Sequence, residues 1–168
     1  MRNKLRWTRY ARRLCWALCI EGGSTLQGKA KVGVSALILG AGIAVVTAVA
    51  HTSCMFFGPS CYQAQMAPKE IVQSAIDGTW IAPIGTIFIS ALFMLCAAYA
   101  LSAAGIIKRL PLQGLGIYCI AALCVTRGAA TLPLSFMFPD MVSNFSLLSG
   151  AVWFMTGLLF FFGYRCAR

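Results

Sequence analysis

Four long apolar stretches, nearly free of charge, constrain this chain more than any other feature. A bilayer core of about 30 Å is crossed by around 20 apolar residues of helix. Val32 to Ala50, Trp80 to Ile107, Leu112 to Phe136 and Met141 to Tyr164 all reach about that length. Water is a poor solvent for them. Of the 168 residues, 60% are hydrophobic and 11% charged, whereas soluble domains run near half apolar and a quarter charged. A soluble fold of this size still exposes about a third of its unfolded-chain surface, so the apolar excess has no place but lipid. Within each stretch the apolar residues run around the whole helix rather than along one stripe, as lipid-facing segments require. The alternating tracts of about ten residues that build a membrane barrel are missing. The expected fold class is therefore all-α, an integral membrane four-helix transmembrane bundle with spans at about 32–50, 80–107, 112–136 and 141–164.

Small residues mark faces on which helices can approach one another closely. Gly40, Ala44 and Ala48 recur every four residues in the first span, and Gly150 and Gly157 share a face of the fourth. They suit packing within the bundle, a homo-oligomer or a membrane partner protein.

Charge sets the expected orientation. Eight of the fourteen Lys and Arg residues precede residue 32: Arg2, Lys4, Arg6, Arg9, Arg12, Arg13, Lys29 and Lys31. Lys108 and Arg109 occupy the second connection, and Arg165 and Arg168 the carboxy terminus. The first connection carries only Lys69, the third no basic residue, and together they hold Glu70, Asp77 and Asp140. Basic segments stay cytoplasmic, so both termini are expected inside. The formal net charge of +10 is then a matter of topology and lipid contact. Nucleic-acid binding, which needs a basic face on a folded domain, is not expected.

The chain divides into a basic cytoplasmic or interfacial segment (1–31), a membrane domain (32–164) and a tail (165–168). Its amino terminus imitates the n- and h-regions of a signal peptide. Leu14 to Ile20 is short for that purpose, however, and Lys29 and Lys31 would hinder export, so a retained segment is expected. It reads either as a helix on the inner leaflet, with Arg6, Arg9, Arg12 and Arg13 on anionic lipid headgroups, or as a disordered basic tail. The outer loop, 51–79, has room for structure. Pro68, Glu70 and Gly78 bracket Lys69 to Asp77 as a short helix. Its apolar residues Ile71, Val72, Ala75 and Ile76 would lie on the membrane or cap the bundle.

Arg127 is the one charge inside a span. Helix rise places it about 22 Å from Leu112, some 8 Å below the outer surface of the core. It reads either as a site for an anionic ligand or as a snorkelling side chain that locks the bundle through Asp77 or Asp140. His51, Tyr62, Asp77, Trp80, Arg127 and Asp140 all fall near one depth at the outer face. They describe a polar cluster or an interface belt. His51, Cys54, Cys61 and Asp77 lack the paired spacings of a metal site, so no metal and no cofactor is expected.

Of the eight cysteines only Cys54 and Cys61 fall outside, where disulfides persist, and Gly58-Pro59 between them favours a turn. Whether they are bridged stays open at this point. A redox-active pair would be expected to show Cys-x-x-Cys, which is absent. Glycine-rich phosphate loops, nucleophile elbows and His-Glu-x-x-His are absent too. None of the four acids lies mid-span to relay protons.

Phe57-Gly58-Pro59-Ser60-Cys61-Tyr62, Gly78-Thr79-Trp80-Ile81-Ala82-Pro83, Tyr99-Ala100-Leu101-Ser102-Ala103-Ala104-Gly105 and Arg109-Leu110-Pro111-Leu112 together carry a likeness. Over about residues 34–165 the chain resembles a group of small four-helix inner-membrane proteins of Gram-negative bacteria. That resemblance implies the architecture and a bacterial inner membrane, and brings no catalytic residues. The expected function is a non-enzymatic membrane component that binds a lipid, a small ligand or a partner protein at its outer face. The alternatives are a thiol or quinone oxidoreductase using Cys54 and Cys61, and a small-solute transporter with Arg127 on its substrate.

Overall fold

A computed structural model describes residues 26–137 and 144–168. The basic segment with Arg6, Arg9, Arg12 and Arg13, the start of the fourth expected span and Asp140 lie outside the described residues. Among the described residues six helices follow in order: α1 (Leu26–Phe57), α2 (Pro59–Ala64), α3 (Lys69–Ile76), α4 (Ile81–Ala103), α5 (Gln113–Met137) and α6 (Asn144–Ala167). No strand occurs among the described residues. Helices α1, α4, α5 and α6 are long and apolar enough to cross a membrane.

The helix ends differ from the expected spans for local reasons. α1 starts before Lys29 and continues past Ala50 to Phe57. Its 32 residues rise about 48 Å, more than a bilayer core. Hydrophobicity reports how much helix is in lipid, not where the helix stops. The stop is Gly58, whose φ of 74° a side chain would resist, and Pro59 then opens α2 from a position where its missing N–H costs nothing. α4 ends at Ala103 rather than Ile107, because Gly105 at φ 77° turns the chain. The Ile106 N–H donates back to the Leu101 carbonyl (3.0 Å), the bond that closes a helix on a left-handed glycine. Ser102 then holds the α4–α5 connection. Its hydroxyl donates to the Lys108 carbonyl (3.1 Å) and accepts from the Leu110 N–H (3.0 Å) and the Gln113 side-chain amide (3.0 Å).

The long helices alternate in direction. α1 packs along both α4 and α6, and α6 along α5, while α4 and α5 approach each other far less. Their meeting point is the Tyr99 ring against Gly116. One end of the bundle carries Lys29, Lys31, Lys108, Arg109, Arg165 and Arg168; this is the basic end. The other end is covered by α2 and α3 and is the capped end.

The core is built from small side chains. Ala41 and Ala44 of α1, Ala97 and Ala100 of α4 and Ala121 of α5 are buried together with Leu37, Ile117, Phe160 and Tyr164. Gly40, Ala44, Ala48, Gly150 and Gly157, the small residues marked in the sequence, are all buried. Phe160 lies over Gly40, and Gly163 backs onto Gly33, where a Cβ would stand 3.1 Å from the Gly33 carbonyl oxygen. At Gly128 a Cβ would come within 2.5 Å of the Gly150 carbonyl and 2.6 Å of the Phe154 Cβ. Ile84, Ile87, Phe88 and Leu92 on α4 and Leu115 and Leu123 on α5 point outward and are exposed. Large apolar side chains thus line the periphery and small ones the interior, the reverse of a soluble bundle.

The cap is a second cluster. Cys54, Tyr62 and Ala82 are buried, and Ile71, Val72 and Ala75 of α3 pack against them. Three of the four apolar α3 residues therefore close the bundle, while Ile76 is exposed. α3 runs as the bracketing residues require, from an N-cap at Pro68 to a C-cap at Asp77 with Gly78 beyond. Cys54 and Cys61 are joined by a disulfide with Cα atoms 5.1 Å apart. It ties α2 back onto the end of α1. The buried Tyr62 hydroxyl meets the Thr86 hydroxyl (3.0 Å), and Thr52 Oγ1 donates to Ser90 Oγ (3.0 Å), so the cap also grips α4.

Two stability outcomes follow from this packing. Gly128→Ala should lower stability in detergent by about 1–3 kcal/mol, as overpacking does. Gly42 has open space around it, so Gly42→Ala should be neutral or gain up to about 1 kcal/mol of helix propensity. Thermal unfolding of both variants checks this, and equal effects would contradict it. The disulfide closes eight residues, Cys54 to Cys61, and the double Ser variant should lose about 2.5 kcal/mol on the chain-entropy account. A reductant should lower the melting temperature of the wild-type chain and leave that of the double variant unchanged.

Candidate binding cavity at the capped end

Arg127 sits on α5, a little under three turns from the end of that helix, in a segment whose neighbours are apolar or small. The helix continues through Pro133, whose missing N–H leaves the carbonyl four residues earlier, at Ala129, without its helical partner. Facing this stretch is the start of α6, where Ser146, Ser149 and Gly150 follow one another at helical spacing. Gly150 lets α6 come against Thr131, whose Oγ1 would lie 2.5 Å from a Cβ there. Between the two helices lies a cavity of about 260 Å³.

Three elements line it. α5 contributes Arg127, Ala130, Thr131 and Leu134; α6 contributes Phe145, Ser146, Ser149 and Gly150; Gln65 and Met66, just after α2, form the roof. The roof is held in place. The Gln65 side-chain amide donates to the Ala50 carbonyl of α1 (2.7 Å), the Met66 N–H donates to the Gln63 carbonyl (2.9 Å), and Ser146 Oγ lies 3.2 Å from Met66 Sδ. Thr131 Oγ1 donates to the Arg127 carbonyl (3.1 Å). Among the described residues that line the cavity, Arg127 is the one charged side chain.

The residues marked in the sequence at this depth do not form one pocket. His51 donates from Nδ1 to the Thr47 carbonyl (2.9 Å), and its ring meets the Phe93 edge at 5.2 Å. Phe93 in turn stacks on Trp153 (5.0 Å), so the imidazole belongs to an aromatic column joining α1, α4 and α6. Tyr62 is buried in the cap. Asp77 accepts from the Gln73 side chain (2.8 Å) and lines a separate cleft with Lys69, Glu70 and Thr79, away from Arg127. Trp80 is 78% exposed at the start of α4, as an interfacial anchor would be. Cys54 and Cys61 are tied to each other and offer no thiolate. Of the six, the cavity holds Arg127, with Asp140 outside the described residues.

Sequence reasoning missed Gln65, Met66, Thr131, Ser146 and Ser149. Thr131 one turn after Arg127, and the Ser146, Ser149, Gly150 spacing, were the signals available. Chemically the cavity offers a permanent cation, hydroxyl groups and an apolar rim of Leu134 and Phe145, with no carboxylate, histidine or thiol among its described residues. No family model, no curated protein and no solved structure matches this chain.

Proposed function

We propose that the chain is a non-enzymatic component of a bacterial inner membrane that binds a ligand or partner in the Arg127 cavity, with its capped end facing outward and both termini in the cytoplasm. Two observations support the orientation. The basic residues of the described helix ends collect at one end of the bundle, the disulfide lies at the other, and basic ends stay inside while disulfides persist outside. The resemblance to small inner-membrane proteins of Gram-negative bacteria supports the choice of membrane.

The observation that carries the binding reading is that Arg127, exposed on α5, lines a cavity with no carboxylate among its described residues. A charge in a span costs at least a few kcal/mol unless it is compensated. A structural arginine would snorkel to the surface or be locked by an acid. Of the two acids named by the sequence, Asp77 is engaged by Gln73 and Asp140 lies outside the described residues. The oxidoreductase reading has less support, because Cys54 is 1% exposed and bonded as a strut for the cap.

Native mass spectrometry of the chain released from its own membranes in a mild detergent tests the proposal. The wild-type chain should retain a non-covalent adduct that Arg127→Gln loses, with the melting temperature of the variant within a few degrees of wild type. An adduct kept by the variant would contradict the reading, and so would a collapse of its fold, which would mark Arg127 as structural.

A further inference from the structure

At the basic end, the last turns of α6 lie against the first turn of α5, and several hydrogen-bond donors collect there. The first helical bond of α5 runs from the Gly116 N–H to the Leu112 carbonyl (2.8 Å), so the N–H groups of Gln113, Gly114 and Leu115 precede it. Donors of this kind, at the positive end of a helix dipole, form a ready site for an anion. Leu112, in the capping position, has no side-chain acceptor for them, and Gln113 turns its side-chain amide to Ser102 (3.0 Å).

A buried hydroxyl points to a ligand at the same place. Tyr164 of α6 is 2% exposed, yet its hydroxyl has no hydrogen-bond partner among the described residues. A buried donor left unpaired costs free energy that a ligand can recover. The hydroxyl lies beside the first turn of α5, where a Cβ on Gly114 would stand 3.2 Å from it. Charge completes the site. Arg168 lies over the Tyr164 ring, 4.9 Å from its centre, and Arg165 over the Phe161 ring at 5.7 Å. A guanidinium over a ring keeps the N–H donors of its edge for an oxyanion, in the fork that suits phosphate. The described acids, Glu70 and Asp77, both belong to the cap at the other end.

The source of the phosphate follows from what lies next along the helices. Leu115 and Tyr118 face outward, 61% and 39% exposed, and Tyr118 packs on Phe161 and Tyr164 with ring centres 5.6 and 5.5 Å away. Tyr118 is about 9 Å further along α5 than Leu112, towards the middle of the bundle. A phosphate at the first turn therefore has basic groups around it and apolar surface beneath it. Lipids of that leaflet present their groups in this order, headgroup at the surface and acyl chains inward. A soluble anion would use the donors and leave the apolar surface bare.

We infer that the start of α5 and the end of α6 bind one anionic phospholipid of the leaflet at the basic end. Its phosphate meets the first-turn N–H groups and the guanidinium groups of Arg165 and Arg168, and its acyl chains run along Leu115 and Tyr118. Drawn onto the phosphate, Arg168 leaves the Tyr164 ring and bares the hydroxyl as a further donor. A zwitterionic headgroup brings its own cation among these arginines and is disfavoured. The site is separate from the Arg127 cavity, at the opposite end of the bundle. It opens to the leaflet, so its lipid exchanges with detergent and is measured in a bilayer.

For the test, the full chain is reconstituted in phosphatidylcholine vesicles with a trace of phosphatidylglycerol or phosphatidylcholine carrying a photoreactive diazirine on one acyl chain, close to the ester. The phosphatidylglycerol probe should label residues 112–118 and 161–168 about tenfold more than the phosphatidylcholine probe. Unlabelled phosphatidylglycerol should protect these segments, and inorganic phosphate should not. Combining Arg165→Gln with Arg168→Gln should lower the labelling about tenfold. Tyr164→Phe keeps the ring and removes the unpaired hydroxyl, so labelling should fall about threefold while the melting temperature in detergent stays level or rises. Arg127→Gln should label like the wild type, which separates this site from the cavity. Equal labelling by the two probes, protection by phosphate, or labelling that survives both the double arginine variant and Tyr164→Phe would overturn the inference.

Discussion

In hydrocarbon a helix has no water to satisfy its backbone and no hydrophobic force to press it against its neighbour. Association then depends on how closely the backbones can come. In this chain that closeness is concentrated on α6. Its glycines meet α5 at Gly150 and Gly157 and α1 at Gly163, and Phe160 fills the space left by Gly40. α6 thereby joins α5 to the pair formed by α1 and α4. Large side chains at these positions would part the helices, and the cavity beside Gly150 has its shape only because α5 and α6 touch just below it.

The capped end solves a different problem. Polar groups near the membrane surface must be paired, and here most are: Tyr62 with Thr86, Thr52 with Ser90, Ser74 with Thr79 and the Ala82 N–H. The disulfide and the Gln65 bond to Ala50 fasten α2 and its exit to α1. Against that background of paired groups Arg127 stands out, because the cavity it lines holds no carboxylate among its described residues.

Much of the architecture was legible in the sequence and the site much less so. The four tracts, the small-residue faces at Gly40, Ala44, Ala48, Gly150 and Gly157, and the bracketed helix from Lys69 all follow from composition and spacing, which act locally. Helix ends were missed where hydrophobicity and helix continuity part company, at Phe57 and Ala103. The polar residues near the outer face were grouped by depth, and depth says nothing about which side of a helix a residue faces. His51 turned to Phe93, Asp77 to Gln73, and Tyr62 into the cap. Gln65 and Met66 reach the cavity only because the turn after α2 folds over α5 and α6, a long-range fact that no local pattern encodes.

In the proposed arrangement hydrocarbon surrounds these four helices and the capped end faces outward. Epitope tags at the two termini and in the connection after α3, at Gly78, test it in one protease-protection experiment on intact cells stripped of their outer barrier. The account predicts that the tag at Gly78 is cleaved from outside while both terminal tags survive until the membrane is broken. A terminal tag cleaved in intact cells, a protected tag at Gly78, or the whole chain in a detergent-free supernatant would contradict it.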